Sequence, residues 1–167
     1  MSRTLQTRVG IGYDIHRMMP TIKSGSIPVG GTDIPCFYKV QAHSDGDVLL
    51  HAIVDACLGA LALGDVGQWF PDNAPEHAGK KSSEFVAPVV AEMKKLGFAV
   101  VQIDSNIMLE EPKLAPHMDK IRQGLAQLFK IELSSVSVKA RTMEGLGAIG
   151  ERKALSAQAV VVLKEIL

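Results

Sequence analysis

His43-Ser44-Asp45-Gly46-Asp47-Val48-Leu49-Leu50-His51-Ala52-Ile53-Val54-Asp55-Ala56 opens as a polar turn and continues as an apolar helix to about residue 63. Asp45-Gly46-Asp47 marks the helix start, because short acidic side chains satisfy free backbone N–H groups and suit the positive helix end. Asp47, His51 and Asp55 recur at a spacing that places them on one helix face. The remaining positions are largely Leu, Ile, Val, Ala and Cys, and a helix that is apolar nearly all round is buried. Ionisable groups in such a setting need hydrogen-bonding partners, a metal, or both. A lone histidine on a helix is more often a satisfied core residue, so a metal reading needs a second feature.

That feature lies upstream, in Arg8-Val9-Gly10-Ile11-Gly12-Tyr13-Asp14-Ile15-His16. Val9, Ile11, Tyr13 and Ile15 alternate with Gly10, Gly12, Asp14 and His16, which is strand periodicity. The apolar row is expected to pack inward. The other row carries bare glycines, where a ligand or another backbone can approach closely, followed by Asp14 and His16. Residues i and i+2 of a strand project the same way, so these side chains can reach one ion. Asp14, His16 and His51 then form a set of one carboxylate and two imidazoles with a fourth position open, the pattern of a catalytic zinc site. Asp55 is read either as the acceptor for the free ring N–H of His51 or as an ordinary buried, hydrogen-bonded carboxylate.

The 167 residues suit a single domain, residues 1–167, with a sizeable core. Hydrophobic residues make up 47% and charged residues 22%, which reads as soluble and globular. Formal net charge is zero, so no basic face is advertised for nucleic acid or an anionic membrane. A phosphate-rich small ligand is still compatible, since backbone N–H groups and metals can hold it. Cys36 and Cys57 form no CxxC pair, and Cys57 is expected as a buried free thiol. That favours a reducing, cytoplasmic compartment. Residues 1–8 show no apolar signal region, and no run of about 18 apolar residues is present to span a bilayer.

The rest of the chain reads as scaffold and loops. Residues 17–42 read as a polar connection and then a hairpin. Ser26-Ile27-Pro28-Val29 and Ile34-Pro35-Cys36-Phe37 flank the turn Gly30-Gly31-Thr32-Asp33, a hairpin whose prolines suggest edge strands. A helix is expected over 82–96, capped at Ser82-Ser83 and starting late or kinking at Pro88. A strand follows over 98–109, then a helix from Pro116 to about 129, a strand over 136–141 and a final Val-rich strand over 157–166, whose periodicity also fits a helix. Pattern alone gives an α/β or α+β class.

Gly-Tyr-Asp-Ile-His, His-Ser-Asp-Gly-Asp-Val-Leu-Leu-His-Ala and Gly64-Asp65-Val66-Gly67-Gln68-Trp69-Phe70-Pro71-Asp72 closely resemble the signatures of the 2-C-methyl-D-erythritol 2,4-cyclodiphosphate synthases, over roughly residues 8–165. The resemblance implies a four-stranded mixed sheet with helices on one face, the sheets packed around a threefold axis in a homotrimer, and active sites between neighbouring subunits. It implies the conversion of 4-diphosphocytidyl-2-C-methyl-D-erythritol 2-phosphate to the cyclic diphosphate with loss of CMP. Zn²⁺ would sit at Asp14, His16 and His51. Mg²⁺ or Mn²⁺ would accompany the substrate diphosphate at Glu144. Asp65, Gly67, Phe70 and Asp72 match substrate-contacting positions, as do His43 and Ser44. Leu109, Pro112, Lys113 and Ala115 belong to the stretch that holds the cytosine. Ala140, Arg141 and Thr142 lead to the reacting phosphates, where His43 and Thr142 take the catalytic hydrogen-bonding roles.

Departures from the family pattern cluster after Lys139. Arg141 and Met143 stand in place of threonines, Ala148 in place of Phe, and Glu151 in place of Arg. The last two line the trimer cavity where some members bind isoprenoid diphosphates, so that regulatory site is not expected here. Two other readings use the same residues. A zinc hydrolase would need a general base, for which His43 is the candidate. A cytidine-nucleotide binding module would have its metal closed by a fourth protein ligand.

Overall fold

The computed structural model describes residues 5–71 and 79–166. Its centre is one mixed sheet. Strand β1 spans Thr7–Val29, β2 Thr32–Gln41, β3 Phe98–Met108, β4 Val136–Arg141 and β5 Ala154–Glu165. The order across the sheet is β2-β1-β5-β3-β4. β3 and β4 run parallel, and the other neighbours are antiparallel.

The sheet has five strands where four were expected. The cause is the length of β1, whose 23 residues include the segment read as a polar connection. Its first part, Thr7 to Arg17, pairs with β5, and its second part, Arg17 to Val29, pairs with β2. The hairpin therefore joins the main sheet, with β2 as an edge strand carrying Pro35. Both turn glycines have positive φ, Gly30 at 60° and Gly31 at 76°, the backbone that a tight hairpin turn requires.

Helix α1 spans Val48–Ala60, α2 Val66–Trp69, α3 Ser83–Lys95, α4 Met118–Phe129 and α5 Gly147–Gly150. α1 is buried along most of its length and packs on β1 and β5. It ends earlier than expected, with Leu61 as its C-cap. α3 starts at Ser83 and runs through Pro88. Pro116 lies in a single 3₁₀ turn, Ala115–His117, that leads into α4.

Asp47 caps α1 rather than sharing a helix face with His51 and Asp55. Its carboxylate accepts the N–H of Leu50 at 3.0 Å. It also accepts those of Gly30 at 2.9 Å and Gly31 at 2.6 Å, so the helix start is pinned to the hairpin turn.

The two rows of β1 are reversed from expectation. Gly10 and Gly12 face α1, while Val9, Ile11, Tyr13 and Ile15 are 64%, 63%, 54% and 46% exposed. A Cβ on Gly10 would stand 1.8 Å from the Ala56 carbonyl oxygen, and one on Gly12 would stand 2.0 Å from that of Ala52. Only a strand without side chains lets a helix backbone come this close. The apolar row is left on the opposite face, beside half-exposed Val160 of β5.

Candidate functional site

β1 delivers Asp14 and His16 from the row that faces α1, and α1 delivers His51 from its first turns. Close packing of strand on helix brings their donor atoms together. Asp14 Oδ2 lies 2.9 Å from His16 Nε2 and 2.9 Å from His51 Nδ1. The ring nitrogens are 3.1 Å apart. Asp14 Oδ1 accepts the Ile15 N–H, which leaves Oδ2 turned to the imidazoles.

These atoms fit one face of a tetrahedral metal site. Metal–nitrogen and metal–oxygen bonds of about 2.0–2.1 Å give donor–donor edges of about 3.3 Å. The observed edges are slightly shorter, so a cation would spread the donors only a little. Among the described residues this is the cluster of His, Cys, Asp and Glu able to hold a metal ion.

Electrostatics reinforce the grouping. Burial alone would push the Asp14 carboxyl up, but hydrogen bonds and charge from His16 and His51 hold it well below the usual carboxylate range. Burial alone would lower His51, yet Asp14 beside it, with Asp47 and Asp45 nearby, raises it above the ordinary histidine value. Phe85 stacks on His51 with ring centroids 6.1 Å apart, and Phe70 stacks on Phe85 at 4.5 Å.

The triad lines a cavity of about 290 Å³, together with His43, Ser44, Gly67 and Phe70. Asp65 precedes the lining residues Val66 and Gly67 as the cap of α2, accepting the backbone N–H of Gln68 at 2.9 Å and its side-chain amide at 2.7 Å. Asp72 lies outside the described residues.

A second group of expected residues sits elsewhere. Leu109, Lys113, Ala115, Ala140, Arg141 and Thr142 line a separate cavity of about 140 Å³. Pro112 lines a third, with Glu111 and Tyr38. Glu144 is exposed, with φ at 53°, and accepts the Thr142 hydroxyl at 2.6 Å. The loop between β3 and α4 is firmly held against this segment. Glu110 accepts the Met143 N–H at 3.0 Å, and Glu111 bridges Arg152 at 3.1 Å and the Tyr38 hydroxyl at 3.3 Å. One chain thus brings the expected metal ligands together but keeps the residues expected to meet the nucleotide in cavities of their own.

The YgbB family profile matches residues 7–164. The chain belongs to this family. A relative from Syntrophomonas wolfei is 44% identical over 158 residues, which cover 95% of this chain and 99% of that protein. It is named 2-C-methyl-D-erythritol 2,4-cyclodiphosphate synthase. The fold also matches the bifunctional IspDF from Campylobacter jejuni, with TM-score 0.91 and 30% identity. That match covers 98% of this chain and 43% of the bifunctional one, so the chain spans less than half of that protein. The IspF of Plasmodium falciparum, solved as a CDP complex, matches with TM-score 0.84 and 33% identity over 96% of this chain and 97% of that one.

Within this YgbB-family site, Asp55 takes the second of its two expected roles. It accepts the Val66 N–H at 3.1 Å and ties α1 to α2. The nitrogen of His51 that points away from the cluster, Nε2, instead meets Ser82 Oγ at 2.9 Å and Ser44 Oγ at 3.3 Å. Ser82 and Phe85 were not identified from sequence. The only local signal at Ser82 was its place at a helix start.

Proposed function

We propose that the chain is a 2-C-methyl-D-erythritol 2,4-cyclodiphosphate synthase of the non-mevalonate isoprenoid pathway. It would close 4-diphosphocytidyl-2-C-methyl-D-erythritol 2-phosphate into the cyclic diphosphate and release CMP. The observation that carries this reading is the convergence of Asp14 Oδ2, His16 Nε2 and His51 Nδ1 in a cavity. It occurs in a chain 44% identical, over nearly its whole length, to a relative of that name.

Asp14, His16 and His51 would hold Zn²⁺ or another divalent transition metal, and Glu144 would hold Mg²⁺ or Mn²⁺ with the substrate diphosphate. When bound, these cations supply Lewis-acid polarisation of phosphate oxygens. The nucleophile is the substrate's own ionised 2-phosphate, so the protein need not supply a strong base. Its oxygen bonds to the β-phosphorus as the bond from that phosphorus to the CMP oxygen breaks. His43 and Thr142 would donate hydrogen bonds to the charge that develops on the phosphoryl oxygens. Ser44, Gly67 and Phe70 line the same cavity as the metal ligands and would help hold the tetritol folded. Orientation of that kind lowers a barrier by up to roughly 7–11 kcal/mol.

Leu109, Pro112, Lys113, Ala115, Ala140 and Arg141 would hold the cytidine. The separation of these residues from the triad within one chain supports a site completed between copies. The exposed row Val9, Ile11, Tyr13 and Ile15 supports a homotrimer, since apolar patches of this kind mark interfaces. No helix among the described residues is long and apolar enough to cross a membrane. We place the protein in the cytoplasm, as a single domain.

A phosphorus NMR time course with the diphosphocytidyl substrate, Zn²⁺ and Mg²⁺, with a chelator control, tests the reading. Metal-dependent CMP release with cyclic-diphosphate resonances is expected. A linear product would point to a hydrolase, and bound CMP without turnover would point to a binding module.

A further inference from the structure

Ser82 stands at the N-cap position of α3 and makes no capping hydrogen bond with its side chain. Backbone carbonyls serve the start of α3 instead: the Glu84 N–H donates to Lys81 O at 2.9 Å and the Phe85 N–H to Ser82 O at 3.1 Å. A serine in this position ordinarily turns its hydroxyl to the helix N–H groups. Here the side chain is fully buried and turned the other way, between Asp45 and His51.

The proton directions follow from the partners. Asp45 Oδ1 is a carboxylate oxygen and can only accept, so Ser82 Oγ donates to it. The Ser82 lone pairs then remain for His51 Nε2, 2.9 Å away. With a cation in place of the proton between Nδ1 and Asp14, the imidazole would carry its proton on Nε2 and offer its Nδ1 lone pair to the metal. Nδ1 is the atom that lies among Asp14 Oδ2 and His16 Nε2. Ser44 Oγ, at 3.3 Å, is the more distant partner of Nε2.

We propose that Ser82 is a positioning residue for the metal site: linked to Asp45, it accepts the Nε2–H of His51 and so turns the Nδ1 lone pair toward the cation. The proposal rests on the metal-site reading above. A ligand imidazole whose second nitrogen is hydrogen-bonded is fixed in tautomer and orientation, and becomes a better donor. The supports are themselves anchored. The Asp45 N–H donates to the Lys80 carbonyl at 3.0 Å, tying the turn before α1 to the segment before α3. Asp45 Oδ1 also accepts the Asp47 N–H at 3.2 Å. Phe85, in the first turn of α3, stacks against the face of the same imidazole at 6.1 Å. The beginning of α3 thus holds His51 by edge and by face.

The test is the zinc affinity of the full-length protein, measured by competition with a chromophoric chelator. Ser82→Ala is expected to weaken zinc binding by about 10–100-fold, and Ser82→Thr, which keeps the hydroxyl, to restore most of it. Wild-type affinity in Ser82→Ala would overturn the proposal, whatever happens to thermal stability. Nitrogen NMR of the zinc-loaded wild type is independent of any variant folding. His51 should show a protonated Nε2, and protonation at Nδ1 would overturn the assignment. A wild-type protein that takes up no zinc would overturn the metal reading itself, a different result from unchanged affinity in the variant.

Discussion

Gly12 lies so close to Ala52 that a Cβ on the glycine would stand 2.0 Å from the alanine carbonyl oxygen. Contact between the strand that carries Asp14 and the helix that carries His51 depends on that missing side chain. Gly12→Ala should force β1 and α1 apart. Overpacking of this kind costs about 1–3 kcal/mol, occasionally more. Because the donor atoms straddle the same contact, zinc affinity should fall with the melting temperature. Calorimetry and chelator competition on one preparation would check both, and an unchanged melting temperature would contradict the packing.

Asp47 is fully buried and accepts the N–H groups of Gly30, Gly31 and Leu50. Asp47→Ala would strand all of these donors and unpin α1 from the hairpin. Each hydrogen bond to a charged group contributes about 1.5–3 kcal/mol, so urea unfolding should report a loss of at least ~3 kcal/mol. Asp47→Asn keeps an acceptor oxygen and should fall between the alanine variant and the wild type.

Burial pushes the Cys57 thiol up to about 12. The thiolate is the reactive form, so Cys57 in the folded protein should resist alkylation at pH 8 and react only as the chain unfolds. Peptide mapping after timed labelling would show it, and prompt labelling of Cys57 under native conditions would contradict its place in the core.

Asp104 on β3 pairs with Lys139 on β4, and that hydrogen bond holds its carboxyl below the usual range. A depressed carboxylate stabilises the fold above its unfolded value of about 3.9. The contribution fades as pH falls through the lower folded value. The pair is well exposed, so Asp104→Asn should cost under about 1 kcal/mol at pH 7. The difference from wild type should shrink in high salt and vanish in strong acid. Denaturant midpoints across pH would test the sign.

The Thr142 hydroxyl donates to Glu144 at 2.6 Å, in a different cavity from the triad. On the proposed mechanism it stabilises charge only in the transition state. Thr142→Ala should then lower kcat by about 10²–10³-fold, with CDP affinity within a few-fold of wild type. Wild-type turnover would remove it from the mechanism.

Much of this was written locally. The cap at Asp47, the paired glycines of the hairpin turn and the extended run 136–141 depend on backbone preferences of neighbouring residues, and they stand where the sequence implies. So does the donor triad, because i, i+2 spacing on a strand sets the side of Asp14 and His16 whatever that side faces. The resemblance implied which residues would meet the nucleotide but not their distribution. That they occupy cavities apart from the triad depends on how distant loops are carried by the sheet.

Which row of β1 turns inward was beyond a local reading. Period-two alternation is the same for either choice, and the hydrophobic rule favours Val9, Ile11, Tyr13 and Ile15. Helix α1 decides otherwise, since its backbone fits only on the glycine row and leaves the apolar row for another surface. The fifth strand has a similar origin, because residues 17–20, which read as part of a polar connection, gain their strand character from pairing with β2. Asp55 turns to Val66, and Ser82 meets an imidazole 31 residues away. Residue types and spacings along the chain determined which groups could bind a metal. Packing between distant elements decided which atoms of those groups face one another, because that depends on contacts no stretch of sequence contains.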